Sequence, residues 1–520
     1  MTHVTELRER TLHAVLSRNA ELTPDRVFLS DQSGTLTWRE TLDLSRQVAR
    51  AFAEFGIVRG DPVLVILDNC REFIATWFGL AIAGAIEVPI NPQLVGAQLV
   101  QRLNACKASV AVIQAEYVAS VDSSAAKLRH LKRLIVVGAA TSTRYETIPF
   151  AELIANARDD QCLEPISVAD PVAIMYTSGS TGSPKGVVLP HGQHYVNGRQ
   201  AADAARITSE DRIFVCLPLH HNMAQGYGVW PALVTGASVA LAARFSRATF
   251  WNDVERSKST VFPFVGAMLS LLAQRGDSVP DNPLRVAYGV PVPAHLHERF
   301  EERYQLRLIH CYGSTEATIV AWDTERVIGS VGRILDTFEL RIVDGDDLPV
   351  PAGDVGEICV RPKEPYSCFS GYYRDPERTV DAFRNAWLHT GDLGRVDENS
   401  TLWFAGRKGE VIRHMGESIN PYEVEEVMAQ YPAIETVAVY GVVSELGEED
   451  VMAAVVARSG ADIQPAALRE WLSGRIAKFA IPRYIRVVHQ LPMTATGKVE
   501  KSSLRAVGVS DATYDARAGL

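Results

Sequence analysis

Thr177, Ser178, Ser180 and Thr181 fall within five positions, interleaved with Gly179 and Gly182 and followed by Lys185 and Gly186. In full the stretch reads Tyr176-Thr-Ser-Gly-Ser-Thr-Gly-Ser-Pro-Lys-Gly186. Glycines let backbone N–H groups turn inward, hydroxyls add donors, and the lysine adds positive charge, a set that wraps a polyphosphate. The spacing departs from the Walker pattern, which places four residues between its first glycine and a Gly-Lys-Ser/Thr, so an ordinary kinase or ATPase loop is not implied. Gly/Ser composition alone more often marks a flexible surface loop. Here apolar runs at 172–176 and 187–189 read as buried strands on both sides and argue for a held loop.

A second constellation, Leu308-Ile-His-Cys-Tyr-Gly-Ser-Thr-Glu-Ala317, follows downstream. A strand there delivers Tyr312, whose ring face can stack on a base. Gly313 permits close approach, Thr315 offers a phosphate donor, and Glu316 is a hard oxygen ligand suited to Mg²⁺. Further on, Trp387-Leu-His-Thr-Gly-Asp392 carries a carboxylate able to accept two hydroxyls, and Arg407 offers a guanidinium fork. Lys498 closes Pro492-Met-Thr-Ala-Thr-Gly-Lys498, a polar loop from which a lysine can swing onto developing charge. Singly, a Thr-Gly-Asp is more often a turn, and one lysine among many is a solvated side chain. The His220–His221 pair ends an apolar run and suits a pocket wall, against a hydrogen-bonded structural role. His295 and His297 lack the i, i+4 spacing of a zinc helix, so residues 294–304 are expected to form a solvated helix.

Taken in order, these stretches resemble the motifs of the adenylate-forming superfamily: acyl-CoA synthetases, peptide-synthetase adenylation domains and beetle luciferases. The resemblance covers nearly the full chain and is nearest to CoA ligases of the carnitine and bile-acid type. It implies an α/β fold, with a large N-terminal lobe of αβ-layered sheets and a small β-rich subdomain, followed by a small mobile α+β domain. Residues 1–408 would form the adenylation domain and 409–520 the mobile one. The implied activity is ATP-dependent conversion of a carboxylic acid to an acyl-adenylate, then acyl transfer to coenzyme A. ATP, Mg²⁺ and CoA are the implied cofactors.

Carried onto this sequence, the resemblance makes Thr177, Ser178, Gly179, Ser180, Thr181 and Lys185 the phosphate cradle. Gly289, Val290, Pro291, Tyr312, Gly313, Ser314 and Thr315 surround the nucleotide, with Asp392 and Arg407 on the ribose and Glu316 on the metal. Lys498 would bridge carboxylate and α-phosphate. Gly416 would face the thiol tunnel, and Lys408 with Gly409 would form the hinge. His221, Met223, Phe264, Met268, Tyr288 and Gly313 would line the acyl pocket. Two positions depart from the family pattern: Tyr288 stands where a small residue is usual, and Gly409 where an Asp or Lys is. Those departures keep open a same-fold enzyme that performs only thioesterification. The motifs also leave room for a stand-alone adenylation enzyme serving a carrier protein and for a non-catalytic nucleotide sensor.

These residues need a large frame. At 520 residues the chain suits a large domain plus a lesser one, and 47% apolar with 22% charged content is that of a globular protein. A net charge of −10 gives no basic field for nucleic acid. The seven cysteines form no CxxC pair, so reduced thiols, without a disulfide frame or metal cluster, and a cytoplasmic location are expected. Residues 1–18 lack the apolar core of a signal peptide. The longest apolar stretch, 73–86, falls short of the ~18 residues of a membrane span and reads as a buried helix running into a strand. Helices at 41–55 and 95–105 alternating with strands at 62–67, 109–113 and 133–137 predict a mostly parallel sheet serving as scaffold. Short strands at 356–360 and 371–373 are expected in the β-rich subdomain. In the last part, helices at 421–430 and 465–477 and strands at 436–443 and 451–457 are expected, with a loose tail after Leu504. The partner is a carboxylic acid, bulky and apolar to judge from Phe262, Phe264, Val265 and Met268; a homodimer is left open.

Overall fold

The computed structural model describes residues 6–157, 164–177, 185–274, 279, 282–410, 412–414, 417–444, 449–473, 475–476, 478–494 and 498–517. An eight-stranded sheet has the order Gly371–Tyr372, Lys185–Pro190, Pro171–Thr177, Ile86–Pro89, Pro62–Ile66, Val110–Gln114, Arg133–Val137, Glu146–Pro149. It is parallel from Pro171–Thr177 to its far edge. Its central strands are unbroken apolar runs, because helices cover both faces. The helix Arg71–Ala83 buries ten of its residues and is apolar all round, which suits a layer enclosed on every side. A Cβ at Gly79 would stand 2.5 Å from Val48 Cγ1, so glycine sets how closely this helix approaches Trp38–Glu54. The latter begins at a capping box made by Thr37 and Glu40.

The second sheet has thirteen strands and joins two styles of pairing. Val261–Val265, Val286–Val290 and Arg307–Ser314 run parallel to one another. Arg307–Ser314 then pairs antiparallel with Thr318–Trp322, and the rest of that side, including Gly356–Pro362, Leu388–Val396 and Thr401–Arg407, is antiparallel. One strand is therefore the seam, and crevices at such changes of strand order are where α/β sheets take ligands.

Beyond residue 420 a separate four-stranded sheet forms from Ile434–Val443, Glu449–Ala457, Tyr484–Val488 and Tyr514–Asp515. Pro421–Met428 and Pro465–Leu472 cover it, giving a second core of Val424, Met428, Val439, Val455, Leu468 and Leu472. No helix of the described residues is long and apolar enough to cross a membrane.

The scaffold elements fall where the apolar periodicity places them. Four expectations are corrected. The helix Ala294–Tyr304 exists, yet it is not a solvated one: His297 is buried beside Glu301, and Phe300 and Tyr304 face the core. The strand Gly371–Tyr372 pairs with Val187 and Val188 in the first sheet, away from the β-rich part in which it is expected. The helix begun at Pro465 ends at Leu472, one turn early, just before the Ser473-Gly474 pair. The tail after Leu504 is not loose: it finishes the helix Lys501–Val507 and returns as an edge strand on Tyr484 and Ile485, tied by Arg483 to Asp515.

The helix His191–Ala205 buries twelve of its fifteen residues between the layers. His191 Nδ1 accepts the Leu12 N–H at 3.3 Å, and neither ring nitrogen of His194, edge-on to Trp77 and Trp230, has a partner. Burial lowers His191 to about 4 and His194 to about 3, and His310 likewise to about 4. Below the ordinary histidine pKa of about 6.5 the unfolded chain binds protons that the folded one refuses, so stability falls as pH drops through that window. Thermal unfolding followed from pH 7 to pH 5 should show a falling Tm. His194→Leu should flatten the decline by up to about 1.4 kcal/mol per pH unit, one proton's worth; an unchanged slope would clear His194 of the effect.

Candidate active site

In the first sheet Thr177 and Lys185 are Cα partners at the ends of the antiparallel strands Pro171–Thr177 and Lys185–Pro190, the two expected to flank the phosphate loop. Ser178, Gly179, Ser180 and Thr181 lie outside the described residues, as does Gly416. Lys185 Nζ stands 5.3 Å over the ring of Tyr372, whose hydroxyl donates to Glu316 Oε1 at 3.0 Å. Gln193 holds the loop bearing Glu316, donating to the carbonyls of Thr315 (2.8 Å) and Glu316 (3.3 Å). A lysine, a phenol and a carboxylate thus gather beside these strand ends. Glu316 is partly exposed, and a carboxylate so placed is a hard oxygen ligand that fits a divalent cation.

The second sheet carries the residues expected on the nucleotide. Tyr312 sits on the seam strand, and the pairing shifts register between it and Gly313. A Cβ on Gly313 would meet the Thr318 carbonyl at 2.1 Å, which explains glycine there. The Tyr312 hydroxyl donates to Asp392 Oδ2 at 2.9 Å, and Arg407 Nε donates to Asp392 Oδ1 at 3.1 Å. Asp392 and Arg407 are cross-strand partners, so backbone register alone puts them together. Burial raises the Asp392 pKa, while Arg407, Tyr312 and Lys498 pull against it.

From the C-terminal part, Lys498 enters the same space. Its backbone N–H donates to Thr494 Oγ1 at 3.1 Å and its carbonyl accepts from Thr494 N at 2.7 Å, which closes the loop that carries it. Partial desolvation lowers the ammonium pKa, as does Arg407, whereas Asp392 and Glu410 raise it. His221 lies close enough to feel the same charge: burial first, then Lys498, brings its pKa to about 4, so the ring is neutral. Its Nε2 is buried without a partner.

Behind His221, the Asn69 side chain donates to the carbonyls of Leu217 and Ala242 and accepts the Leu219 N–H. Gln225 joins Leu219 to the buried Glu87. Burial raises the Glu87 pKa, and the Gln225 hydrogen bonds oppose the rise.

The expected acyl-pocket residues divide into two groups. His221 and Met223 are partly open, as Gly313 is, while Phe264 and Tyr288 are wholly enclosed and Met268 nearly so. The Tyr288 hydroxyl donates to the Tyr227 carbonyl at 2.5 Å, and its ring packs edge-on to Trp322 at 5.7 Å. Phe262 belongs to an aromatic core stack with Phe214, Phe250 and Phe264. Gly289 is pressed against the Phe264 carbonyl, and Val290 and Pro291 continue to an open rim. Ser314 Oγ accepts the Ala317 N–H, holding the turn that bears Thr315 and Glu316. At the chain's crossing point, Lys408 N donates to the Gly391 carbonyl at 2.9 Å and Lys408 Nζ to Glu357 Oε2 at 3.0 Å. Gly409 has no atom within 4 Å of where a Cβ would stand, so packing does not require glycine there.

Tyr372, Gln193 and Asn69 belong to no sequence motif. Only Tyr372 has a local signal, its place in a Gly-Tyr-Tyr turn, and that signal points to the wrong sheet.

Residues 16–373 match the family of AMP-binding enzymes, and residues 423–498 match the AMP-binding enzyme C-terminal domain. A crotonobetaine/carnitine–CoA ligase of Salmonella paratyphi C is 30% identical over 472 residues, covering 88% of this chain and 91% of its own. The crystal structure of the anthranilate CoA ligase AuaEII with anthranoyl-AMP superposes with a TM-score of 0.88 at 25% identity, covering 96% of this chain and 97% of that one. The o-succinylbenzoate CoA synthetase MenE of Bacillus subtilis, in complex with AMP, does so with 0.81 at 26% identity, covering 94% and 98%.

Tyr312→Phe removes one of the donors that hold Asp392. Affinity for AMP, read by titration calorimetry, should fall roughly tenfold or more, the usual worth of a hydrogen bond to a charged group. Undiminished binding would separate this pair from the nucleotide.

Proposed function

The chain belongs to the AMP-binding enzymes, the adenylate-forming superfamily in its acyl-CoA ligase branch, and we propose that it activates an apolar carboxylic acid with ATP and passes the acyl group to CoA through one rearranging site. The observation that carries this reading is the arrival of Lys498, from the C-terminal part, at the Tyr312–Asp392–Arg407 cluster of the large domain.

A carboxylate is a poor acyl donor because its leaving group would be oxide. When its oxygen attacks the α-phosphorus of ATP, the bond to pyrophosphate breaks and a mixed anhydride forms. Such a transfer asks the protein mainly for positioning and charge neutralisation. Asp392 and Arg407 take the ribose, Tyr312 presents its ring to the base, and Lys185 and Thr177 flank the phosphate chain. Glu316 would hold Mg²⁺, which when bound neutralises phosphate charge. Lys498 lies across the developing charge between carboxylate and α-phosphate. For the second step the thiol attacks the acyl carbonyl, the carbonyl–phosphate oxygen bond breaks, and AMP leaves. Lys498 must withdraw to admit it, and residues 408 and 409 are where the two domains part.

The acid's tail lies beyond His221 and Met223. The enclosed Tyr288, tied to Tyr227, and the core positions of Phe262 and Phe264 leave His221 and Met223 among the partly open residues of the expected acyl pocket, which supports an apolar acid as the substrate.

Lys498→Ala, assayed by pyrophosphate release over a panel of carboxylic acids, should lose roughly 10²–10³-fold in adenylation, the usual cost of one preorganised charge donor. Thioester formation from supplied acyl-AMP should largely survive, and equal damage to both half-reactions would sink the assignment. Because partial desolvation lowers the Lys498 pKa, adenylation should decline with rising pH before the ordinary lysine range is reached. Lys498→Arg should push that limb upward. Gly409→Pro tests the other half: it stiffens an unpacked backbone position, so adenylation should persist while CoA transfer falls. If both rates survive in this variant, the swivel lies elsewhere.

A further inference from the structure

The antiparallel strands Gly356–Pro362 and Leu388–Val396 set Cys359 directly opposite His389. Glu357 precedes Cys359 by two residues and shares its face. The pairing shifts register between these two positions, and there Glu357 Oε1 accepts the Gly391 N–H at 3.2 Å. Its other oxygen, Oε2, stands 3.2 Å from His389 Nδ1, which is 3.3 Å from Cys359 Sγ; all three atoms lie within 4.8 Å of one another. Metal–ligand bonds of about 2.0–2.3 Å in a tetrahedron give ligand separations of roughly 3.3–3.7 Å, so little rearrangement is needed. The ligating side chains are buried: those of Glu357 and His389 are 5% exposed, and Cys359 is 1% exposed.

Two cations already reach into this set from outside. Arg384 Nη2 is 2.9 Å from His389 Nδ1 and 3.7 Å from Glu357 Oε2, and Lys408 Nζ is 3.0 Å from the same oxygen. Both are surface side chains, 44% and 53% exposed, free at their outer ends to swing into solvent. Since Nδ1 faces the Arg384 N–H, its lone pair is already directed into the space between the ligands. On the far side of the ring, Asp347 Oδ2 lies 3.8 Å from Nε2, too far for a hydrogen bond but near enough to place a negative charge behind the imidazole.

We propose that Glu357, Cys359 and His389 form a binding site for a thiophilic divalent cation of the Zn²⁺ class, with the Arg384 and Lys408 side chains standing in for the metal in the metal-free chain. The thiol and imidazole exclude Mg²⁺ and Ca²⁺ as preferred occupants, because those ions want oxygen. Binding breaks the Cys359 S–H bond, forms a sulfur–metal bond and releases the proton to solvent, with no change of oxidation state. The fourth position, where Arg384 now reaches, is left for water. Filling the site also takes Lys408 off Glu357, at the residue next to Gly409. This site is separate from the adenylation chemistry and does not depend on it.

The test is Co²⁺ titration of the chelator-stripped full-length chain in the presence of Mg²⁺. A thiolate-to-cobalt charge-transfer band in the near ultraviolet, with strong tetrahedral d–d absorption, should appear at one equivalent and be displaced by Zn²⁺. Cys359→Ser should abolish the charge-transfer band, and Glu357→Gln should weaken binding by at least ~10–100-fold. Arg384→Ala removes a competing cation and should tighten binding, a readout that does not depend on the folding of the cysteine variant. Absence of the band, its persistence in Cys359→Ser, or unchanged affinity in Arg384→Ala would overturn the proposal.

Discussion

A carboxylate taken almost entirely out of water must be surrounded by donors and positive charge, and Asp392 is where this chain gathers them. Tyr312 comes to it from the seam strand, Arg407 from the neighbouring strand, and Lys498 from the C-terminal domain. Each of the three lies in a different part of the sequence, and each leans on the same negative charge. Burial alone would protonate Asp392 more readily; the surrounding charges and the phenol oppose that drift. The cluster therefore joins two things that look separate, a buried polar network in the large domain and the approach of Lys498 from the C-terminal part.

The layered sheets make that convergence possible. In the parallel half, strands end on one side and leave a crevice. In the antiparallel half, register alone sets Asp392 against Arg407. The seam strand Arg307–Ser314 belongs to both, so its last residues reach the place where the styles meet. Gly313 allows the backbone to press against the Thr318 carbonyl there. The helices Arg71–Ala83 and His191–Ala205 are mostly buried among the layers, and the second of them extends Gln193 to the carbonyls of Thr315 and Glu316.

Much of this is legible residue by residue. The strand before the phosphate loop, the parallel scaffold and the α+β character of the last part follow from apolar periodicity and from turn residues. The types gathered at Tyr312, Glu316, Asp392, Arg407 and Lys498 declare their chemistry because few other residues could supply it. Where reading fails, the reason is partnership across long separations. His297 looks exposed on an amphipathic helix because the core that buries it is built by elements distant in sequence, although Glu301 is only one turn away. Gly371–Tyr372 is expected in the wrong sheet because a two-residue strand has no periodicity to read. The tail looks loose because its anchors, the edge pairing with Tyr484 and Ile485 and the Arg483–Asp515 ion pair, lie some thirty residues back in the chain.

The sequence by itself determined which elements form and which chemical groups the chain possesses, since those depend on local pattern and on side-chain identity. Tertiary structure alone decided which groups share a space. It put the hydroxyl of Tyr372 on Glu316, brought the half-buried His221 within reach of the Lys498 charge, turned Phe262 into core, and set Cys359 opposite His389. Those outcomes rest on strand register and burial, which are properties of the packed whole: a shift of one residue in pairing would turn each side chain to the other face and separate every pair named here.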